Sequence, residues 1–143
     1  MNTKEIDVLL KAYCKHGFHG VFSSDTLPSH PKLLVCNTDP ISKPGEHWIA
    51  IFVSEDGRGE YFDSFGRAPN EHFANYLNEH CRNWIFNKRQ LQSIISSYCG
   101  YYCCMYCMYR CRGFGLNKVV NLFTTDTAFN DSIVHGFVCN KTV

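Results

Sequence analysis

The chain of 143 residues lacks several features that would each narrow its role at once. There is no charge excess. Fourteen Lys plus Arg stand against thirteen Asp plus Glu, a formal charge of +1, so charge alone points to neither nucleic acid nor an anionic membrane. There is no long apolar run either: the most apolar stretch, Tyr98 to Tyr109, is about twelve residues, short of the roughly 20 that cross a bilayer. The opening MNTKEIDVLLKAYCKHG has no apolar signal core, so neither secretion nor a membrane span is expected. Repeats, low-complexity tracts and linkers are lacking too, and the length fits a single domain over 1–143.

Apolar and aromatic residues are plentiful, at 45% and 15% of the chain, enough to bury a core. Nine cysteines are a high and odd count. Without a secretion signal no disulfide framework is expected, so the thiols are read as reduced, in an intracellular, reducing compartment. The question is which of them does chemistry.

Hydrophobic spacing lays out an α/β (α+β) architecture. Ile6, Leu9, Leu10 and Tyr13 recur at helical spacing and stop near Gly17. Residues 17–31, GFHGVFSSDTLPSHP, read as an ordered loop capped at Ser24 or Asp25. Lys32 to Asn37 reads as a strand, and HWIAIFV and EYFDSF read as two more, joined by a turn near Asp56 and Gly57. In the first of these Ile49, Ile51 and Val53 share one face and Trp48, Ala50 and Phe52 the other, the pattern of a central strand covered on both sides. A surface helix is predicted over Asn70 to Asn83 and a further strand within WIFNKRQLQSI. Tyr98 to Arg112 is apolar almost all round, with Cys99, Cys103, Cys107 and Cys111 on one stripe, so this helix belongs in the core. The tail from Asn117 reads as a closing helix or strand.

Three segments carry groups suited to chemistry: GEHW around His47, FDSFG around Asp63, and QSIISSYCG from Gln92 to Gly100. In the predicted hairpin Asp63 comes close to opposite His47, where its carboxylate can fix the imidazole tautomer and stabilise the protonated ring. Cys99 stands just before a helix, where unpaired amides and the dipole favour a thiolate. Gly100 leaves room for a substrate backbone, and the Cys99 amide with the Gln92 side chain can donate to an oxyanion. Each residue also has an ordinary reading: His47 as a core or rim residue, Asp63 as a turn former, Gln92 as a surface amide, Cys99 as one buried thiol of nine. A metal reading would join Cys104 and Cys107 to His80 and Cys81; without a second CxxC, core packing accounts for Cys103, Cys107 and Cys111 better. A nucleic-acid reading would use Lys88, Arg89, Arg110, Arg112 and Lys118 with neighbouring tyrosines.

The ordered set GEHWIAIF, YFDSFG and QSIISSYCGYYCCMYC resembles the adenain family, the adenovirus maturation protease and its relatives in Polinton or Maverick elements and related viruses. These cysteine proteases share a fold with the SUMO-specific proteases. GVFSSDTLP and NLFTTDTAFNDSIV extend the resemblance over most of the chain.

The resemblance implies a small mixed sheet flanked by helices, with a central buried helix presenting Cys99 at its N-terminus. It makes Cys99 the nucleophile, His47 the general base, Asp63 the acidic partner and Gln92 the oxyanion-hole donor, with Gly100 and Trp48 bordering the substrate's approach. Adenain has Glu where this chain has Asp63, and the SUMO-protease branch has Asp. The implied reaction is endopeptidase cleavage of viral or element-encoded capsid or core precursors, near glycine-containing sites, during particle maturation. The implied location is the host nucleus or the virion, and the chain is expected to act as a monomer with no metal or cofactor in the chemistry. The family further suggests an activating viral peptide joined by a disulfide, for which Cys81 is the matching candidate. Stimulation by DNA is not expected of a nearly neutral chain that is shorter than adenain. Two other expectations stand beside this one: a protease of the same fold specific for SUMO or another ubiquitin-like protein, and a non-enzymatic zinc-binding or interaction domain.

Overall fold

The structure, a computed structural model, describes residues 1–43 and 47–141. Helix α1 (Thr3–Cys14) opens with the Asn2 side chain accepting from the Glu5 N–H at 2.8 Å and turns Ile6, Leu9 and Leu10 inward. A 3-10 turn over Lys15–Gly17 leads into strand β1 (Gly20–Phe22). Then follow β2 (Leu33–Asn37), β3 (Trp48–Val53), β4 (Arg58–Phe62), helix α2 (Glu71–His80) and β5 (Asn83–Phe86). Three helices close the chain, α3 (Cys99–Arg110), α4 (Leu116–Val120) and α5 (Thr127–Cys139).

The strands form one mixed sheet in sequence order, with β2–β3 and β3–β4 antiparallel and both outer pairs, β1–β2 and β4–β5, parallel. The alternation in β3 separates two cores. Ala50, with Trp48 and Phe52, faces a layer built from α1, α3 and α5, while Ile49, Ile51 and Val53 pack with Leu34, Cys36, Tyr61, Phe73 and Leu77 beneath α2. In α3 nine of the twelve residues are buried, so the helix is enclosed by protein on nearly every side. Each large side chain it buries, such as Tyr102, Tyr106 or Met108, contributes roughly 1.5–3 kcal/mol relative to exposure.

The far end of α3 is tied to the sheet through Glu60 on β4. Its carboxylate accepts from Tyr106 Oη at 2.5 Å, from the Leu116 N–H at 3.1 Å and from Arg110 at 3.3 Å. The Arg110 guanidinium lies 4.0 Å over the Phe52 ring, so the ion pair is roofed by apolar surface.

Several local expectations change. β1 lies in what reads as loop: three residues with one glycine carry no periodic signal, and the strand exists because β2 lies alongside. β4 begins at Arg58 and ends at Phe62, which leaves Asp63 just beyond it. The WIFNKRQLQSI segment keeps only four residues in β5, and the tail forms two helices. The metal reading fails on topology: Cys104 and Cys107 belong to the α3 layer, whereas α2, which carries His80 and ends at Cys81, packs on the opposite face of the sheet. Among the described residues no three His, Cys, Asp or Glu side chains gather to hold a metal, and no helix is long and apolar enough to cross a membrane.

Candidate active site

The mixed sheet gathers the candidate residues at one pole. β3 starts where β4 and β5, its antiparallel neighbour and that neighbour's parallel partner, both end. His47, one residue before β3, therefore meets Asp63, the residue that follows β4, and Asp63 in turn meets Asn87, the residue that follows β5. The N-terminus of α3 delivers Cys99 to the same pole. Of the GEHW segment, Gly45 and Glu46 lie outside the described residues.

His47 Nε2 donates to Asp63 Oδ1 at 2.8 Å, an oxygen that also accepts from the Phe65 N–H at 2.8 Å. Asp63 is only 4% exposed, so this bond is shielded from water. Its backbone is held as firmly: the Asp63 N–H donates to Asn87 Oδ1 at 3.0 Å, and its carbonyl accepts from Asn87 Nδ2 at 2.5 Å and from the Gly66 N–H at 2.8 Å. That last turn needs glycine. Gly66 has φ +73°, and a side-chain carbon there would lie 2.7 Å from the Arg89 carbonyl oxygen. The Phe65 ring, 5.0 Å from the imidazole, walls the pair.

With Nε2 committed to Asp63, the other ring nitrogen is left for the Cys99 sulfur, and the two side chains are close enough that each shifts the other's proton affinity. Burial alone would push the Cys99 thiol up. The bond from His47, the imidazole charge and the backbone N–H groups of Trp48 and Gly100 outweigh it and hold the thiol below its ordinary range. Burial likewise opposes the charged form of His47, yet hydrogen bonds and charge from Asp63 and Cys99 raise it to about 9. The two shifts run in the directions that favour the thiolate–imidazolium form of the pair. Other thiols go the opposite way: burial pushes Cys36 and Cys104 up to about 12 and Cys103 and Cys107 well above the usual thiol range.

Gln92 is fully buried and locked at both ends. Its Oε1 accepts from Ser64 Oγ at 2.6 Å, and its Nε2 donates to the Ser96 carbonyl and to Ser96 Oγ, both at 3.0 Å. Ser64 itself, also fully buried, accepts the Leu91 and Gln92 N–H groups on its carbonyl. Residues 63 and 64 are therefore tied to different members of the site, Asp63 to the base and Ser64 to the amide.

Gly100 serves packing rather than open approach: a carbon on its Cα would sit 3.3 Å from both Met1 Cβ and Trp48 Cδ1. Trp48 is fixed there by its Nε1 donating to the Met1 carbonyl at 3.2 Å. A cleft of about 640 Å³ opens beside Cys99, lined by Asn2, Phe22, Asn37, Ile41, Trp48 and Ser97 among others. Cys81 lies away from it, half-buried at the end of α2 against Gly59 of β4. Asn87, Ser64 and Ser96 escaped the sequence reading. Only Ser64 carried a local signal, its place directly after Asp63; the other two matter because of what the fold sets beside them.

No family model matches this chain. It is 31% identical over 98 residues to the protein named "Putative thiol protease R355" of Acanthamoeba polyphaga mimivirus, an alignment covering 61% of this chain and 32% of that one. The chain thus spans about a third of the length of this relative. Among solved structures it superposes on the ASFV pS273R protease with a TM-score of 0.66 at 19% identity, covering 94% of this chain and 66% of the other. On ChlaDub1 from Chlamydia trachomatis the TM-score is 0.59 at 18% identity, covering 96% and 75%. The mixed sheet backed by a buried helix is the fold of the ASFV pS273R protease, and a sequence relative of this chain is a viral protein with thiol protease in its name.

Proposed function

We propose that this chain is a cysteine endopeptidase. The observation that carries the reading is the coupling of Cys99, at the start of α3, to His47, backed by the buried Asp63 bond at 2.8 Å. The Cys99 thiolate attacks a peptide carbonyl carbon, and the oxyanion is met by the Cys99 N–H and by Gln92. In the resting site one amide hydrogen of Gln92 goes to the Ser96 hydroxyl, a partner the oxyanion replaces. His47 passes its proton to the leaving amine, the C–N bond breaks, and a thioester remains. Water, deprotonated by His47, releases the acid and restores the thiolate.

The adenain-like motifs support a finer reading: capsid or core precursor polypeptides of a virus or mobile element, cut at glycine-containing sites during particle maturation. Phe22, Ile41 and Trp48 bring bulky walls to the cleft, which favours residues of little side chain next to the scissile bond. On the same reading the chain works in a reducing compartment of the host cell or in the particle, and a short viral peptide linked through Cys81 is the activator to look for.

The test is a thiol-directed activity probe followed by mass-spectrometric mapping, together with cleavage of glycine-containing peptides. Labelling at Cys99 in preference to the other eight thiols, and loss of both labelling and cleavage in Cys99→Ala, is the expected result. Full cleavage by Cys99→Ala would remove the proposal. Reaction with a SUMO or ubiquitin vinyl sulfone in preference to those peptides would reassign the substrate to a ubiquitin-like protein.

A further inference from the structure

At the pole opposite Cys99, the end of α1, the approach to β1 and the segment entering β2 enclose a concavity of about 830 Å³. Among the described residues every ionisable side chain lining it is basic: Lys11, Lys15 and His16 from α1 and its 3-10 turn, His19 before β1, His30 and Lys32 before β2. In a chain of net charge +1 this is a marked local excess of one sign. Asp7 answers Lys11 at 3.1 Å, but neither Lys15 nor Lys32 has a carboxylate within ion-pair distance among the described residues.

The negative end of the α1 dipole accounts for cations at Lys11, Lys15 and His16. It does not account for His19, His30 and Lys32, which arrive from other segments. The backbone adds a second observation. Lys15 has φ +53° and ψ −121°, a conformation that suits glycine and strains any other residue. A glycine would end α1 without strain, yet the position holds a lysine whose charge lines the concavity. His19 is held below the usual imidazole range, by burial first and then by the charge of Lys32 beside it. An anion between the two would relieve both.

We propose that this concavity binds a compact polyphosphate anion, several phosphate groups on one small soluble molecule. Ammonium and imidazole N–H groups donate to phosphate oxygens, and a cleft of one sign concentrates such an ion. Ser29, whose hydroxyl lies 3.1 Å from His30 Nδ1, adds a neutral donor, and Phe18 and Pro28 form an apolar floor. A single-stranded nucleic acid needs basic groups along a track with accessible aromatic faces. Here the basic groups converge on a bowl in which, among the described residues, the one phenyl ring, Phe18, is buried. A membrane headgroup needs apolar side chains at the rim, and none of the exposed large apolar residues lines this site. The assignment does not depend on the chemistry of Cys99.

The experiment is calorimetric titration of the full chain with sodium tripolyphosphate, with two comparison arms: a short single-stranded DNA, and phosphatidylcholine vesicles doped with phosphatidylinositol bisphosphate. One tripolyphosphate per chain is expected, weakened about tenfold in Lys15→Gly and again in Lys32→Gln. Lys15→Gly relieves the backbone, so its Tm stays level or rises, and weaker binding by that variant is not a folding defect. No tripolyphosphate binding, or binding by either variant as tight as by the parent chain, overturns the proposal. So does stronger binding of the DNA or the vesicles than of tripolyphosphate at equal phosphate concentration.

Discussion

Asn87 and Asp63 hold each other in both directions: the Asp63 N–H donates to Asn87 Oδ1 at 3.0 Å and Asn87 Nδ2 donates back to the Asp63 carbonyl at 2.5 Å. Two parallel neighbours, β4 and β5, end side by side, and the residue after each strand becomes the other's partner. Asn87→Ala strands a buried N–H and removes half of what holds Asp63 in line with His47. Denaturant unfolding should show a loss of about 1–3 kcal/mol. The rate of Cys99 alkylation at neutral pH should fall several-fold in the folded variant.

The two ends of the Cys99 and His47 pair set a pH window. The Cys99 thiol is depressed, so its thiolate persists to lower pH than that of a free thiol and is lost only as pH falls through the depressed value. His47 is raised to about 9, so its proton persists through neutrality and leaves as pH climbs past that value. Alkylation mapped by mass spectrometry should mark Cys99 near neutral pH while Cys36 and Cys104, pushed up to about 12, stay unlabelled. Peptide hydrolysis should decline above about pH 9, where the donor to the leaving amine is gone. A Cys99 that alkylates no faster than free cysteine at pH 7 would contradict this.

Ser64 acts on Gln92 alone among the site residues, through the 2.6 Å bond that fixes which end of the amide is oxygen. Ser64→Ala frees the amide to turn. Loss of a direct oxyanion donor typically costs 10²–10³ in rate; losing the residue that orients one should cost about tenfold. The alkylation rate of Cys99 should not change, because no oxyanion forms in that reaction. Equal loss in both assays would mean that Ser64 merely supports the fold.

Glu60 joins β4, α3 and α4 by three bonds, with the Arg110 charge 3.3 Å away under little water. Glu60→Gln keeps the size and one acceptor but leaves Arg110 without its counter-charge. The expected loss is about 3 kcal/mol, seen as a lower Tm, with Cys99 still reactive in the folded fraction.

The parts of this molecule that were legible in its sequence are those whose signal is local. The two-faced run from Trp48 to Val53 placed a central strand because period-two alternation survives any tertiary context that covers both faces. The all-round apolar stretch after Tyr98 could only be a core helix. β1 was invisible because three residues cannot carry a period, and its pairing with Leu34, Val35 and Cys36 comes from a segment more than ten residues away. Asn87 and Ser96 were invisible for a related reason: an amide or hydroxyl in a loop becomes specific only when two strand ends or a buried glutamine are set beside it. The zinc reading erred because linear spacing does not say which face of a sheet a cysteine will occupy.

Because α3 is walled by the largest apolar layer, it cannot fray or swing without opening that whole layer. Its amides from Cys103 to Met108 should exchange with deuterium only through global unfolding, while the strand ends carrying His47 and Asp63 loosen earlier. The sulfur's environment therefore lasts as long as the native state does. A substitution anywhere in that layer, however distant from Cys99, shortens the working life of the site by shifting how often the entire molecule opens.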